Sequence, residues 1–295
     1  MSNKKIVVTG ASGFLGSHLV ERIKDDEAFR VYALTSRPGE LKDKIGGSSV
    51  VYLQKDSILR DGSILNEATI VNCAYPRNAG GPEIGDGLRY TQSVFEASVD
   101  NKAAAVINIS SQSVYSQKRT EAATEDTPVC LESAYAVGKY AAELMLESAC
   151  RGSDTAYTNL RMASLIGPDF DQRIVNRFVM KLMGRETITV LRQPKKMGFL
   201  DVEDAVNAII SVTGTPPAAW KQVYNVGNGQ GYTVEHIYDT VAAELRNRTE
   251  IPKPIFGTGT DASSTEVSFD LLNRDTGFVP TIDLNESVKK IIASL

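Results

Sequence analysis

Short apolar runs rich in β-branched residues alternate, along the first half of the chain, with longer stretches in which apolar residues recur at helical spacing. That rhythm predicts parallel strands joined by crossover helices. Strands are expected at Ile6 to Thr9, Val31 to Thr35, Val50 to Leu53, Ile70 to Cys73 and Val106 to Ser110, with a sixth at Thr155 to Arg161. The Ala-rich stretch Ser133 to Ala149 has strongly helical composition. After Gly167-Pro168 the rhythm changes to a helix at Ile174 to Met183, a short strand at Thr187 to Leu191 and mixed elements beyond. Gly257 to Ser264 reads as a loop, and Tyr224-Asn225-Val226 as a strand returning to the main sheet. The expected fold is α/β, a doubly wound parallel sheet of the Rossmann type over residues 1–166, with a returning strand near 223–226. A smaller substrate-binding region, 167–295, interleaves with it.

Composition narrows the class of partner. The chain has 295 residues, enough to bury a large core, and 32 Lys+Arg against 36 Asp+Glu with no long basic run. Nucleic acid is therefore not an expected partner, and a small molecule is. Three widely spaced cysteines, Cys73, Cys130 and Cys150, point to a reducing compartment. The apolar run Ile6-Val7-Val8 is too short for a signal peptide or a membrane span, so a cytoplasmic location without membrane attachment is expected. His18 and His236 lie far apart, and no metal site is expected.

Candidate chemistry begins with Thr9-Gly10-Ala11-Ser12-Gly13-Phe14-Leu15-Gly16, which follows the first strand and opens a helix. Glycine there lets backbone approach a pyrophosphate, and the helix N-terminus offers N–H groups and partial positive charge. The end of the second strand reads Leu34-Thr35-Ser36-Arg37, without the carboxylate that would accept hydrogen bonds from the adenosine ribose of NAD. Hydroxyls followed by a guanidinium suit a 2′-phosphate, so NADP(H) is favoured and NAD(H) stays possible, unless Arg37 is an ordinary solvated arginine. Asp56, after the third strand, is either an acceptor for an adenine amino group or a surface-turn acid.

Tyr135 and Lys139 lie four residues apart in the Ala-rich helix, on one face. A phenol, with a reference pKa of about 10, is a poor acid or base near neutrality. A neighbouring ammonium stabilises the phenolate and brings proton transfer within reach. Ser110-Ser111 ends the fifth strand at the carboxyl edge, where doubly wound sheets place their ligands.

Together these segments resemble the extended short-chain dehydrogenase/reductase family, in its nucleotide-sugar epimerase, dehydratase and ketoreductase branch. The resemblance covers essentially the whole chain. It includes Ile109 to Tyr115, Thr124 to Pro128 ahead of the Tyr-x-x-x-Lys helix, Leu160-Arg161, Gly167-Pro168, and Phe199 to Ala205. It implies hydride transfer between a nicotinamide and a sugar carbon, with Tyr135 as acid or base, Lys139 binding ribose and tuning Tyr135, and Ser111 orienting the substrate oxygen. Cofactor contacts are expected at Gly10, Ser12, Gly13, Phe14, Leu15, Gly16, Ser36, Arg37, Asp56, Ser57, Cys73, Ala74, Tyr135 and Lys139. Substrate contacts are expected at Ser111, Gln112, Ser164, Asn176 and Arg192, and at Arg77 unless it is an ordinary solvated loop arginine, and the resemblance implies a homodimer through the Tyr-x-x-x-Lys helix and the one before it, at Gly87 to Val99.

Departures from the family pattern bear on the reaction. Gln112-Ser113 replaces the Asp-Glu pair of the 4,6-dehydratases, which disfavours dehydration. Met197 stands where many members place an arginine that grips the nucleotide diphosphate; Arg192, Lys195 or Lys196 are the substitutes at hand, and the nucleotide-sugar assignment is weakened. The leading expectation is reduction of a keto group on a sugar, nucleotide-linked, by NADPH. An NAD-dependent nucleotide-sugar epimerase is the alternative enzyme, and a non-catalytic dinucleotide sensor the alternative of another class.

Overall fold

The computed structural model describes residues 3–76, 80–170 and 172–295. In chain order the elements begin β1 (Lys4–Thr9), α1 (Phe14–Ile23), β2 (Phe29–Thr35), α2 (Pro38–Ile45), β3 (Val50–Gln54), α3 (Ser57–Arg60), β4 (Thr69–Asn72), α4 (Gly81–Asp100) and β5 (Ala105–Ser111). They continue with α5 (Ala134–Cys150), β6 (Ala156–Met162), β7 (Ser164–Ile166), α6 (Ile174–Met183), β8 (Thr189–Arg192), β9 (Met197–Asp201), α7 (Val202–Gly214) and β10 (Val223–Val226). The last elements are β11 (Gly231–Tyr232), α8 (Val234–Leu245), β12 (Ile255–Thr258), α9 (Asp270–Thr276) and α10 (Leu284–Ala293).

Seven strands form one sheet in the order β10-β6-β5-β4-β1-β2-β3. β1 pairs in parallel with both β2 and β4, and β4 with β5. The strand order therefore reverses between β1 and β4, the topological switch point at which open α/β sheets bind ligands beyond their carboxyl ends. Because helices cover both faces, the strands read as near-continuous apolar runs: Val7, Leu34, Ile70 and Val106 are buried in one cluster with Val94 and Phe95 of α4 and Leu146 of α5. Each such side chain contributes about 1.5–3 kcal/mol when fully removed from water.

A polar row interrupts that core near the carboxyl ends. The Thr9 hydroxyl donates to Asn72 Oδ1 at 2.7 Å, Asn72 Nδ2 to Asn108 Oδ1 at 3.0 Å, and Asn108 Nδ2 to Asn159 Oδ1 at 2.9 Å. Each amide meets its neighbour on the adjacent strand, so burial leaves these groups hydrogen-bonded.

By contacts the chain divides into one unit of residues 1–114, 130–161 and 209–224, and a second of 115–129, 162–208 and 225–295. The boundary near 161 lies a few residues before the expected 166, and two further segments change sides. The second unit has its own core, in which Val175, Phe178 and Leu182 of α6 pack with Ile237 and Val241 of α8 and Val288 of α10. Its sheet β11-β9-β7 is accompanied by the pair β12-β8. That pair corrects one expectation. Gly257 and Thr258 are strand residues, registered in parallel on Leu191 and Arg192, because a partner strand distant in sequence supplies hydrogen bonds that local composition does not announce.

Candidate active site

The turn after β1 is shaped by what it touches. Gly10 has a φ of +63°, and a Cβ on it would stand 2.7 Å from the Ala74 backbone. On Gly16 a Cβ would collide with the Gly10 carbonyl, so helix α1 passes directly over the turn. Gly13 is the N-cap of α1 and brings no side-chain acceptor to its first turn, where Phe14, Leu15 and Gly16 lie. The loop is tied to the end of β2: Ala11 N–H donates to the Leu34 carbonyl at 3.1 Å, and Thr35 Oγ1 donates to Ser12 Oγ at 2.6 Å. A backbone cradle with a helix N-terminus behind it fits a pyrophosphate, the central part of a nicotinamide dinucleotide.

Ser36 and Arg37 follow on the exposed end of β2. Arg37 reaches Glu40 at 3.1 Å, with both side chains largely in solvent; a pair of this kind holds by at most about 1 kcal/mol. Asp56 is the N-cap residue of α3 and pairs with Arg60 at 2.5 Å, and Ser57 begins that helix. Beyond β4, Cys73 N–H donates to the Thr9 carbonyl at 3.2 Å. Burial pushes the Cys73 thiol up to about 12, against the opposing pull of Lys139, so it stays a protonated packing group.

Helix α5 presents the candidate acid–base pair. Ser133 caps it, accepting from Ala136 N–H at 3.1 Å, and the four-residue spacing stacks Tyr135, Lys139 and Glu143 along one face. Tyr135 is half-buried. Lys139 is 7% exposed, and its Nζ donates to the Ile109 carbonyl of β5 at 2.8 Å. The ammonium lies 5.9 Å from the centre of the Tyr135 ring and 4.2 Å from that of Tyr75. The carbonyl and the two ring faces compensate its removal from water. Ser111 ends β5, and its Oγ accepts from Ser113 N–H at 3.2 Å and lies 3.0 Å from Ser113 Oγ. Gln112, next in the chain, is buried in a 3₁₀ turn.

One turn beyond Lys139, Glu143 accepts from Arg161 Nη2 at 2.7 Å and Nε at 3.0 Å, and from the Ser110 hydroxyl. All three residues are buried. Sequence reasoning passed over Glu143, although an acid continuing the Tyr135–Lys139 spacing in an Ala-rich helix was a readable signal, and it placed Ser110 at the strand end without its bond to that carboxylate. It passed over Tyr75 as well, which carried no such signal.

The remaining candidates lie in the second unit, apart from Arg77, which is outside the described residues. Ser164 opens β7 and is half-buried. Asn176, in α6, is buried; its Nδ2 donates to the Gly167 carbonyl at 2.9 Å, while its Oδ1 has no hydrogen-bond partner among the described residues. Arg192 pairs with Glu235 at 2.7 Å and lies 3.6 Å over the Phe256 ring. Lys195 pairs with Asp261 at 2.8 Å. Asp201, at the re-entry segment, accepts from Glu203 N–H and from the Ser287 hydroxyl, the work of a structural cap. Among the described residues no cluster of His, Cys, Asp and Glu could hold a metal, and no helix is long and apolar enough to cross a membrane.

Known proteins resemble this chain in sequence and in fold. The low-salt glycan biosynthesis protein Agl12 of Haloferax volcanii is 26% identical over 76% of this chain and 77% of its own length. A putative UDP-glucose 4-epimerase of Methanocaldococcus jannaschii is 20% identical over 97% of each chain. Among solved structures, the UDP-N-acetylglucosamine 4-epimerase from Bacillus cereus superposes with a TM-score of 0.84 at 24% identity, covering 99% of both chains. The UDP-glucuronic acid 4-epimerase from the same organism, in complex with NAD, also gives 0.84, at 20% identity over 98% of each. These likenesses show a shared Rossmann-type fold. The NAD dependent epimerase/dehydratase family model matches residues 6–227, most of the chain and all of the cradle and the α5 pair, and the protein belongs to that family.

Proposed function

We propose that this protein is a nicotinamide-dependent oxidoreductase acting at one carbinol or carbonyl carbon of a sugar, nucleotide-linked, with Tyr135 as the proton-transferring group. The observation that carries the reading is the Lys139 ammonium, anchored on the Ile109 carbonyl and set against the ring face of Tyr135. A bound dinucleotide supplies hydride exchange with the substrate carbon. Lys139 supplies fixed positive charge beside the phenol, which favours its ionised form as the proton leaves. Ser111, at the carboxyl end of β5, offers a hydroxyl to a substrate oxygen, and its own Oγ is oriented by Ser113. Gly10, Gly13 and Gly16 would hold the pyrophosphate.

The direction proposed is reduction of a keto group by NADPH. It is supported by Thr35-Ser36-Arg37 at the end of β2, where no carboxylate stands to meet a ribose 2′-hydroxyl. A second reading, epimerisation by oxidation and re-reduction of one carbon on retained NAD, is favoured by the relatives and structures named as UDP-sugar epimerases. Purified protein distinguishes the two: a reductase consumes NADPH stoichiometrically with a keto-sugar nucleotide, whereas an epimerase purifies with its dinucleotide and interconverts sugar nucleotides without net cofactor consumption. Equal activity of wild type and Tyr135→Phe would overturn both, and absence of turnover with retained dinucleotide binding would point to a sensor.

A further inference from the structure

Tyr75, three residues beyond the end of β4, does not belong to any of the motifs above, yet it touches both members of the α5 pair. Its ring face covers the Lys139 ammonium at 4.2 Å, closer than the Tyr135 ring at 5.9 Å. Its ring also meets Tyr135 edge to face, with centres 5.4 Å apart, and its hydroxyl lies 3.4 Å from the Tyr135 carbonyl. Glycine inside a helix is destabilising relative to alanine, and two helices carry one at this segment. A Cβ on Gly138 of α5 would collide with the Tyr75 hydroxyl, and one on Gly87 of α4 would collide with the Pro76 ring. The seat of Tyr75-Pro76 is thus cut into both flanking helices.

We propose that Tyr75 is a positioning residue for the Tyr135–Lys139 pair: its ring face holds the ammonium in place and its edge fixes the Tyr135 ring beside it. The inference rests on the reading of Tyr135 and Lys139 as the working pair. Burial, then Tyr135, pushes the Tyr75 phenol up to about 12, so Tyr75 serves as a neutral ring. Among the described residues, Cys73, held protonated by burial, and the Ile109 carbonyl also face Lys139; the Glu143–Arg161 pair lies a turn away on α5 and β6. Cation–π contact with a ring needs the face and not the hydroxyl, which separates the variants.

The test is ¹³Cζ-tyrosine NMR titration of the full-length protein, with Tyr135 assigned through Tyr135→Phe. Tyr75→Phe is expected to leave the Tyr135 titration midpoint in place. Tyr75→Leu is expected to raise it by about half a pH unit or more, as the released ammonium disperses into water. Pentafluorophenylalanine at position 75, which keeps the shape and reverses the ring quadrupole, should raise it likewise and covers the case in which Tyr75→Leu fails to fold. Gly138→Ala, which evicts the Tyr75 hydroxyl, should raise it too. An unchanged or lowered midpoint in folded Tyr75→Leu or in the fluorinated protein overturns the proposal. Turnover separates the two readings: loss of activity in Tyr135→Phe together with an immobile Tyr135 midpoint in the folded position-75 variants defeats the role of Tyr75 alone, whereas full activity in Tyr135→Phe defeats the working pair on which it rests.

Discussion

Arg161 and Glu143 form a two-pronged ion pair inside the first unit, Nη2 to Oε2 at 2.7 Å, with the side chains 6% and 5% exposed. The pair ties α5 to β6, and Ser110 ties the same carboxylate to β5. It therefore clamps the helix that carries Tyr135 and Lys139 against the two strands beside it. Removing one partner strands a buried charge. Glu143→Ala is expected to lose about 3–5 kcal/mol of stability, measured by urea unfolding of the purified protein. A loss below about 1 kcal/mol, the surface-pair range, would show that the clamp is not closed in solution.

Tyr135→Phe keeps the ring and its contact with Tyr75 but removes the proton in play. Turnover should fall by about 10²–10⁴-fold, the usual contribution of a positioned acid or base. Dinucleotide binding, followed by fluorescence titration with NADPH or NADH, should stay near wild type. Parallel loss of binding would mean that the hydroxyl serves the cofactor and not the chemistry.

Arg37 is exposed, and its guanidinium pairs with Glu40, which is exposed as well. If it reads a 2′-phosphate, Arg37→Ala weakens NADPH binding by about tenfold or more, the worth of a charge-assisted hydrogen bond, and leaves NADH binding unchanged. Equal affinities for NADPH in variant and wild type would return the cofactor assignment to NAD.

Gly10→Ala combines a left-handed backbone angle with a Cβ 2.7 Å from the Ala74 backbone. The turn must move, so the variant is expected to lose dinucleotide binding outright and to melt at lower temperature. Wild-type affinity in this variant would remove the turn from the cofactor site.

Along α5, Val137 and Leu144 are 50% and 48% exposed, on a helix whose other face is buried against the sheet. The homodimer that the family resemblance implies through α4 and α5 would cover them. Leu144→Glu should then shift the protein to monomer in sedimentation equilibrium, with the thermal midpoint depending on protein concentration in wild type alone.

How far the sequence reached can be judged residue by residue. β1 to β6, α5 and α6 were legible to within a residue or two, because apolar periodicity and helix propensity act over neighbouring positions. The glycine turn and the Tyr135–Lys139 spacing were legible for the same reason: a strand-to-turn-to-helix junction and a four-residue repeat are local facts. Tyr75 over Lys139, Ser110 on Glu143, Gly138 making room for a hydroxyl, and the row Thr9-Asn72-Asn108-Asn159 were not. Each pairs residues from separate strands and helices, tens of positions apart, and has no energy until the sheet brings them together. The strand at Ile255–Thr258 belongs with them, since Gly257 extends only where β8 offers its backbone. Chain chemistry thus marked the groups proposed to react, and the folded packing decided which neighbours hold them, because burial and charge act through space and leave no periodic trace along the chain.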